Sequence, residues 1–343
     1  MLSIPETGRA VRLKSRPRSL PQADNFEVIT MPTPAPAEGE ALIRNRYTRA
    51  AASLRMMISE GAESVEGVPF PALQPGDLLA EESIGEVVSA PPGSGLSPGD
   101  FVRHHLGWRQ FAAVPARACE RLIDDLPEIT AHLSHGWTAY AALTRAAQVR
   151  GGDIVFVTSA AGAIGSMAGQ IARLLGAGRV IGSTSSTEKA NRLVRELGYD
   201  HAVIRGAAPI AAQLAKVAPN GLDVVIDNVG GEQLQAAIGA ARDYARVVII
   251  GALSGQLAKE GAGRTAPVEL DSFQILLKKL SIRGYSADSD PDARPEWTKR
   301  FRGWLRSASI VFPHVLIRGI DTAPSVLQQV AEGRYFGTVI VEL

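Results

Sequence analysis

Between Val155 and Gly178 the chain reads VFVTSAAGAIGSMAGQIARLLGAG, a run of β-formers, a turn of small residues and then an amphipathic stretch. Ala160-Ala161-Gly162-Ala163-Ile164-Gly165 has the spacing of a G-x-G-x-x-G turn with alanine at the first glycine. In a strand–turn–helix setting the middle glycine lets backbone approach a pyrophosphate, and the last glycine lets the helix pack closely on the strand. The helix start turns unsatisfied N–H groups and a partial positive charge toward the phosphates. A tight strand–helix turn needs small residues for packing in any case, so the following strand decides between the two readings.

Sheets that bind NAD place an acid near the end of the second strand, where it grips the ribose 2′-hydroxyl. Here that end reads GSTSSTEKANR, with no acid before Glu188 on the next helix. Small hydroxyls at Ser185 and Ser186 leave room for a 2′-phosphate, and Lys189 can neutralise it. A charge-assisted bond of that kind is worth roughly 1.5–3 kcal/mol, enough to set a preference for NADPH. The other reading makes Lys189 and Arg192 a solvated helix face.

These side chains need a scaffold, and 343 residues allow two domains of ordinary size. With 45% hydrophobic and 21% charged residues, the chain has the make-up of a globular protein with substantial cores. Lys plus Arg number 36 against 35 for Asp plus Glu, which excludes the electrostatic footprint of a nucleic-acid binder. The single cysteine, Cys119, excludes an intrachain disulfide and a multi-cysteine zinc site. No apolar signal region and no apolar run of about 18 residues is present, so a cytoplasmic protein off the membrane is expected. Residues 9–125 are rich in strands and turns. From 126 onward buried β runs alternate with amphipathic helical patterns, the signature of a parallel sheet covered on both faces.

Several stretches carry a family resemblance: VRLKSRP, NRYTRAAASLRMMISEG, LGWRQFAAV, HGWTAYAAL, SAAGAIGSMAGQIARLLGA, IDNVGG, IIGALSG and GRYFGTVIVEL. Nearly end to end, the chain resembles the medium-chain dehydrogenase/reductase superfamily. Within it, the chain is most similar to the zinc-free alkenal/prostaglandin reductase (curcumin reductase-like) group. The resemblance implies an α/β protein: a GroES-like β-barrel domain over 1–125, completed by 305–343, and a Rossmann doubly wound parallel-sheet domain over 126–304 that binds NADPH. It also implies cofactor contacts at Ala163, Ile164, Gly165 and Ser166. Lys189 matches the lysine on the 2′-phosphate, with Ser185 beside it, and Arg205 stands where the family has a tyrosine near the same phosphate. Asn228 matches the family asparagine, and Ile250, Gly251, Ala252, Leu253 and Ser254 form the loop beside the nicotinamide. Tyr285 and Ser286 match a segment whose backbone meets the carboxamide. Thr138 lies in the segment found beneath the ring, and Tyr335 takes the place of the C-terminal asparagine.

The departures fall on substrate recognition. The family's SLDPYMR reads RAAASLR, so its Asp, Pro and Tyr become Ala51, Ala52 and Ser53; Gln256 replaces the tyrosine after GAIS; RGGG becomes AEES, Ala80 to Ser83. His104 and His105 are neighbours on a strand and point to opposite faces, which leaves structural and pocket-lining roles open but makes a poor metal site. Without zinc, alcohol oxidation lacks its Lewis acid. The reaction implied instead is conjugate reduction: hydride goes to the β-carbon of an α,β-unsaturated carbonyl, and the developing enolate oxygen needs a donor. With the family tyrosines absent, the donors to consider are Tyr285, Ser53, Gln256 and Tyr335, each of which also reads as a pocket wall. Glu81 and Glu82 read as a solvent-facing pair at a strand start or, if one is buried near the nicotinamide, as an acid/base.

The expected partner is therefore a small α,β-unsaturated carbonyl compound, an enone or enal, and the resemblance implies a homodimer. A quinone reductase and an enoyl-thioester reductase share fold and cofactor and stay open. From another class comes a non-catalytic NADPH-binding scaffold or regulatory protein.

Overall fold

The computed structural model describes residues 4–64, 71–123, 126–258 and 265–343. The chain forms two compact units. One comprises the described residues up to Leu133 together with Val315–Leu343; the other comprises Ser134–Ala258 and Thr265–His314. The break expected after residue 125 falls at positions outside the described residues.

The first unit opens with β1 (Thr7–Leu13) and β2 (Phe26–Pro32), an antiparallel pair that matches Thr7 with Pro32 and Leu13 with Phe26. Its main sheet is built on the long strand β3 (Glu40–Ala50), followed by the short helix α1 (Leu54–Ile58) and strands β4 (Ser83–Ser89), β5 (Phe101–His104), β6 (Phe111–Pro115) and β7 (Glu120–Arg121). The first half of β3 pairs with β6 and its other edge pairs with β4, with register shifts near Leu42 and Asn45 that bend the strand.

The second unit runs α2 (Gly136–Ala141), β8 (Ile154–Val157), α3 (Gly165–Leu174), β9 (Arg179–Thr184), α4 (Thr187–Leu197), β10 (His201–Ile204) and α5 (Ile210–Val217). It continues with β11 (Leu222–Asp227), α6 (Gly231–Ala240), β12 (Ala241–Ile249), α7 (Leu253–Gln256), α8 (Ser272–Lys278), β13 (Ser281–Gly284) and α9 (Ala293–Arg306). The six strands form one parallel sheet in the order β10-β9-β8-β11-β12-β13. All six residues of β11 are buried, as a strand covered on both faces requires. Helix α4 shows why its sequence folds locally: Ser186 caps its start, Gly198 ends it in the left-handed conformation, and Ala190, Leu193 and Leu197 recur at helical spacing on the buried face.

The chain then returns to the first unit as β14 (His314–Arg318), α10 (Ala323–Ala331) and β15 (Thr338–Glu342). Strand β15 pairs with the second half of β3, from Val339↔Ala50 to Glu342↔Tyr47. Val326, Leu327 and Val341 join Val11, Leu13, Ile58, Leu79 and Trp108 in one buried cluster. The C-terminal segment thus completes the unit that the N-terminal strands began. Among the described residues no helix is long and apolar enough to cross a membrane.

Candidate functional site

In the sheet order the chain runs outward in opposite directions from β8 and from β11, so the two strands flank the point where a doubly wound sheet opens a crevice at its carboxyl end. The turn after β8 is held from beneath. Ser159 adopts a left-handed φ of 52°; its N–H donates to Ser183 Oγ at 3.0 Å, and the Ala160 N–H donates to the Ser183 carbonyl at 2.8 Å. A Cβ on Gly165 would lie 2.3 Å from the Ser159 carbonyl oxygen and 2.6 Å from Ala160 Cα, so only glycine lets α3 start this close to the strand. The Ser166 amide donates to the Gly162 carbonyl at 2.9 Å and its hydroxyl is turned inward. The amides of Ala163, Ile164 and Gly165 find no acceptor among the described residues. Three donors at the positive end of a helix are a ready anion cradle.

At the end of β9, Ser185 is exposed and Ser186 accepts the Lys189 N–H at 3.3 Å. Lys189 is half-buried, and burial lowers its pKa, an effect that Glu188 opposes and Arg192 reinforces. Arg192 is different: its guanidinium pairs with Glu196 one turn on, at 2.9 and 3.0 Å. Arg205 follows β10 directly, is exposed, and its N–H donates to the Thr184 carbonyl at 2.9 Å, which ties it to the end of β9. Cationic residues thus stand where an NAD-binding sheet carries its acid.

The loops after β11 and β12 are bound to each other. Ile250 N–H donates to the Asp227 carbonyl at 2.8 Å, Leu253 N–H to that of Asn228 at 3.0 Å and Ser254 N–H to that of Val229 at 2.8 Å. Gly251 lies so close that a Cβ would meet the Asn228 carbonyl oxygen at 2.8 Å. Asn228 is buried, and its amide donates to the Thr158 carbonyl at 3.2 Å. Asp227 and Thr158, which no sequence motif singles out, bond each other through their side chains at 2.8 Å. Their only signal was a polar residue closing each of two apolar strands.

Tyr285 follows β13, and its N–H donates to the Ile249 carbonyl at 2.9 Å, so the segment with Ser286 lies beside the Ile250–Ser254 loop. The Tyr285 hydroxyl donates to Asp290 at 2.6 Å; burial first, and then that carboxylate, push the phenol pKa well up. Ser286 is exposed and donates to Asp288 at 3.3 Å. Gln256 is half-buried in α7, and Thr138 half-buried in α2. Ser53 and Tyr335 belong to the first unit: Ser53 is the residue before α1, and the Tyr335 hydroxyl donates to Gln329 at 2.8 Å.

The solvent-facing reading of Glu81 and Glu82 does not hold. Glu82 is 4% exposed and Glu81 half-buried, so they are not a solvent-facing pair. Both carboxylates are held by Arg49, at 2.9 Å to Glu81 and 2.8 Å to Glu82, and Arg103 adds a contact to Glu82 at 3.4 Å. Glu82 thus sits between two guanidinia, and Glu81 is paired with one, in charge-assisted contacts across the sheet. His104 is structural. Its Nε2 meets Asn45 Oδ1 at 2.8 Å, its Nδ1 accepts the Leu106 N–H at 3.1 Å, and burial lowers its pKa to about 3. Among the described residues no group of three His, Cys, Asp or Glu side chains is placed to hold a metal ion.

Two family profiles cover most of the chain: one described as "Zinc-binding dehydrogenase" matches residues 163–302, and one described as "N-terminal domain of oxidoreductase" matches residues 9–122. The chain is 30% identical over 338 residues, 97% of each chain, to "Putative NADP-dependent oxidoreductase YfmJ" of Bacillus subtilis (strain 168). It is 26% identical over 343 residues to the NADPH-dependent curcumin reductase of Escherichia coli (strain K12), covering 96% of this chain and 95% of that one. The crystal structure of CurA in complex with NADPH from Vibrio vulnificus matches with a TM-score of 0.87 at 29% identity, over 97% of this chain and 98% of that one. With two profiles in tandem and relatives matching along their whole length, the chain belongs to the alkenal/prostaglandin reductase group of the medium-chain dehydrogenase/reductase superfamily.

Proposed function

We propose that this oxidoreductase uses NADPH to reduce the C=C bond of an α,β-unsaturated carbonyl compound, an enone or enal, without a metal. The observation that carries the reading is the carboxyl edge of the parallel sheet: three amides without acceptors at the start of α3, and cationic side chains, not an acid, at the ends of β9 and β10. These residues fit the cofactor. The amides of Ala163, Ile164 and Gly165 hold the pyrophosphate, while Lys189, Arg205 and Ser185 take the 2′-phosphate. Asn228, the Ile250–Ser254 loop, Thr138, Tyr285 and Ser286 position the nicotinamide end. When bound, NADPH supplies the hydride that adds to the β-carbon.

The chain must then stabilise negative charge on the carbonyl oxygen. Tyr285, Gln256 and Ser53 are the proposed donors, with Tyr335 as a further candidate. A phenol has one O–H, so Tyr285 serves only when its proton leaves Asp290. We assign the parallel-sheet unit as the cofactor domain and the other as the substrate domain. A single cysteine, which can close no intrachain disulfide, suits a reducing cytoplasmic setting. A homodimer is supported by the edge position of β13 and by Phe273, Leu276 and Leu277 of α8, which are 63%, 68% and 57% exposed. Leu276→Asp is expected to give a monomer in sedimentation.

The test is a panel of acceptors with NADPH. Consumption of NADPH with enones and enals, and not with quinones or acyl thioesters, supports the reading. Consumption with quinones alone replaces it by a quinone reductase. Tight NADPH binding with no consumption on any acceptor leaves a cofactor-binding scaffold.

A further inference from the structure

Asp227 closes a strand whose other side chains are apolar but for Asp223, and it is 0% exposed. A valine there would continue the β run with no desolvation cost, whereas a buried carboxylate is expensive unless fully bonded. Here it accepts three hydrogen bonds: from Thr158 Oγ1 at 2.8 Å, Val229 N–H at 3.2 Å and Gly230 N–H at 2.8 Å. Thr158 Oγ1 in turn accepts the Asn228 N–H at 2.8 Å. No Lys or Arg pairs with Asp227 among the described residues, so its partners are the Thr158 hydroxyl and the loop amides.

The consequence lies in what hangs on that loop. The carbonyls of Asp227, Asn228 and Val229 accept the amides of Ile250, Leu253 and Ser254. Gly230 and Gly231 have φ of 76° and 53°, and a Cβ on Gly230 would stand 3.1 Å from Ser254 Oγ. One carboxylate therefore fixes the backbone that carries Asn228, fixes the Ile250–Ser254 loop through it, and ties both to the residue before Ser159 in the phosphate turn.

We propose that Asp227, acting with Thr158, is a positioning residue for the nicotinamide half of the cofactor. The inference rests on the NADPH reading above and adds a residue that touches neither cofactor nor substrate. Because the adenosine end is held at the ends of β9 and β10, away from this clasp in the sheet order, the two halves of the cofactor respond differently to its loss.

The experiment measures dissociation constants of NADPH and of 2′,5′-ADP for the whole chain and for Asp227→Asn, Thr158→Val and Thr158→Ser. Asparagine keeps the shape but sets an N–H₂ against the Gly230 N–H, and valine removes the hydroxyl without changing volume. Expected is an NADPH dissociation constant about tenfold or more higher in Asp227→Asn and Thr158→Val, 2′,5′-ADP binding within about twofold, and recovery of NADPH affinity in Thr158→Ser relative to Thr158→Val. Equal weakening of both ligands makes Asp227 a fold-holding residue and overturns the proposal. NADPH binding unchanged in both variants overturns it too. A wild-type chain that binds neither ligand rejects the cofactor reading itself, and the inference with it.

Discussion

The hydroxyl of Tyr199 donates to the carbonyl of Gly165 at 2.6 Å, joining the segment between α4 and β10 to the first turn of α3. The ring lies in a slot left by two glycines: a Cβ on Gly169 would sit 2.1 Å from it, and one on Gly182 2.9 Å from it. Tyr199 is buried, and burial pushes its phenol pKa far up, so it acts as a neutral hydrogen-bond donor. It therefore sets where the phosphate-facing end of α3 sits. Tyr199→Phe is expected to cost about 0.5–1.5 kcal/mol of stability by urea unfolding. Gly169→Ala, which overpacks the slot, is expected to cost about 1–3 kcal/mol. A neutral Gly169→Ala contradicts this packing.

The 2′-phosphate assignment separates two neighbours on α4. Lys189 is half-buried at the helix start, whereas Arg192 is committed to Glu196. Loss of a charge-assisted bond costs roughly 1.5–3 kcal/mol. Lys189→Ala should therefore raise the NADPH dissociation constant about 10- to 100-fold and leave NADH binding unchanged. Arg205→Ala should act in the same direction, and Arg192→Ala should stay within about twofold. The reverse order for Lys189 and Arg192 would contradict the placement.

How much of this was legible in the sequence depends on how local the cause was. The strand–turn–helix at Ala160–Gly165, the missing acid after β9 and the parallel α/β order all rest on spacing and neighbouring residue types, and the structure has the same elements in the same places. The burial of Glu81 and Glu82 is not legible in the sequence because their partners, Arg49 and Arg103, lie on other strands, and no periodicity announces an ion pair across a sheet. Asp227 and Thr158 stayed hidden for the same reason. Each closes its own strand 69 residues from the other, and only strand pairing makes them neighbours.

His104 makes stability depend on pH. Its folded pKa is lowered from 6.5 to about 3 by burial, so in that window the unfolded chain binds a proton that the folded chain refuses. The stabilisation is complete above the ordinary histidine range and is lost as pH falls toward about 3, with a limiting slope of about 1.4 kcal/mol per pH unit. Between about pH 6.5 and 5, above the ordinary carboxylate range, unfolding free energy should fall with acidity in the wild type and much less in His104→Gln. Equal slopes in the two proteins would remove His104 from this role.

The proposed donors are separable by single substitutions. In the series Tyr285→Phe, Gln256→Ala and Ser53→Ala, loss of the group that meets the enolate oxygen should lower kcat about 100-fold and leave NADPH affinity unchanged. If no member of the series lowers kcat, none of these three side chains is the donor.

The central claim is hydride transfer to carbon conjugated with a carbonyl. The direct measurement is turnover of an enone with NADPH deuterated at the transferable position, followed by location of the label in the product. The account predicts a saturated ketone with deuterium on the β-carbon. Label on the carbinol carbon of an allylic alcohol would contradict it.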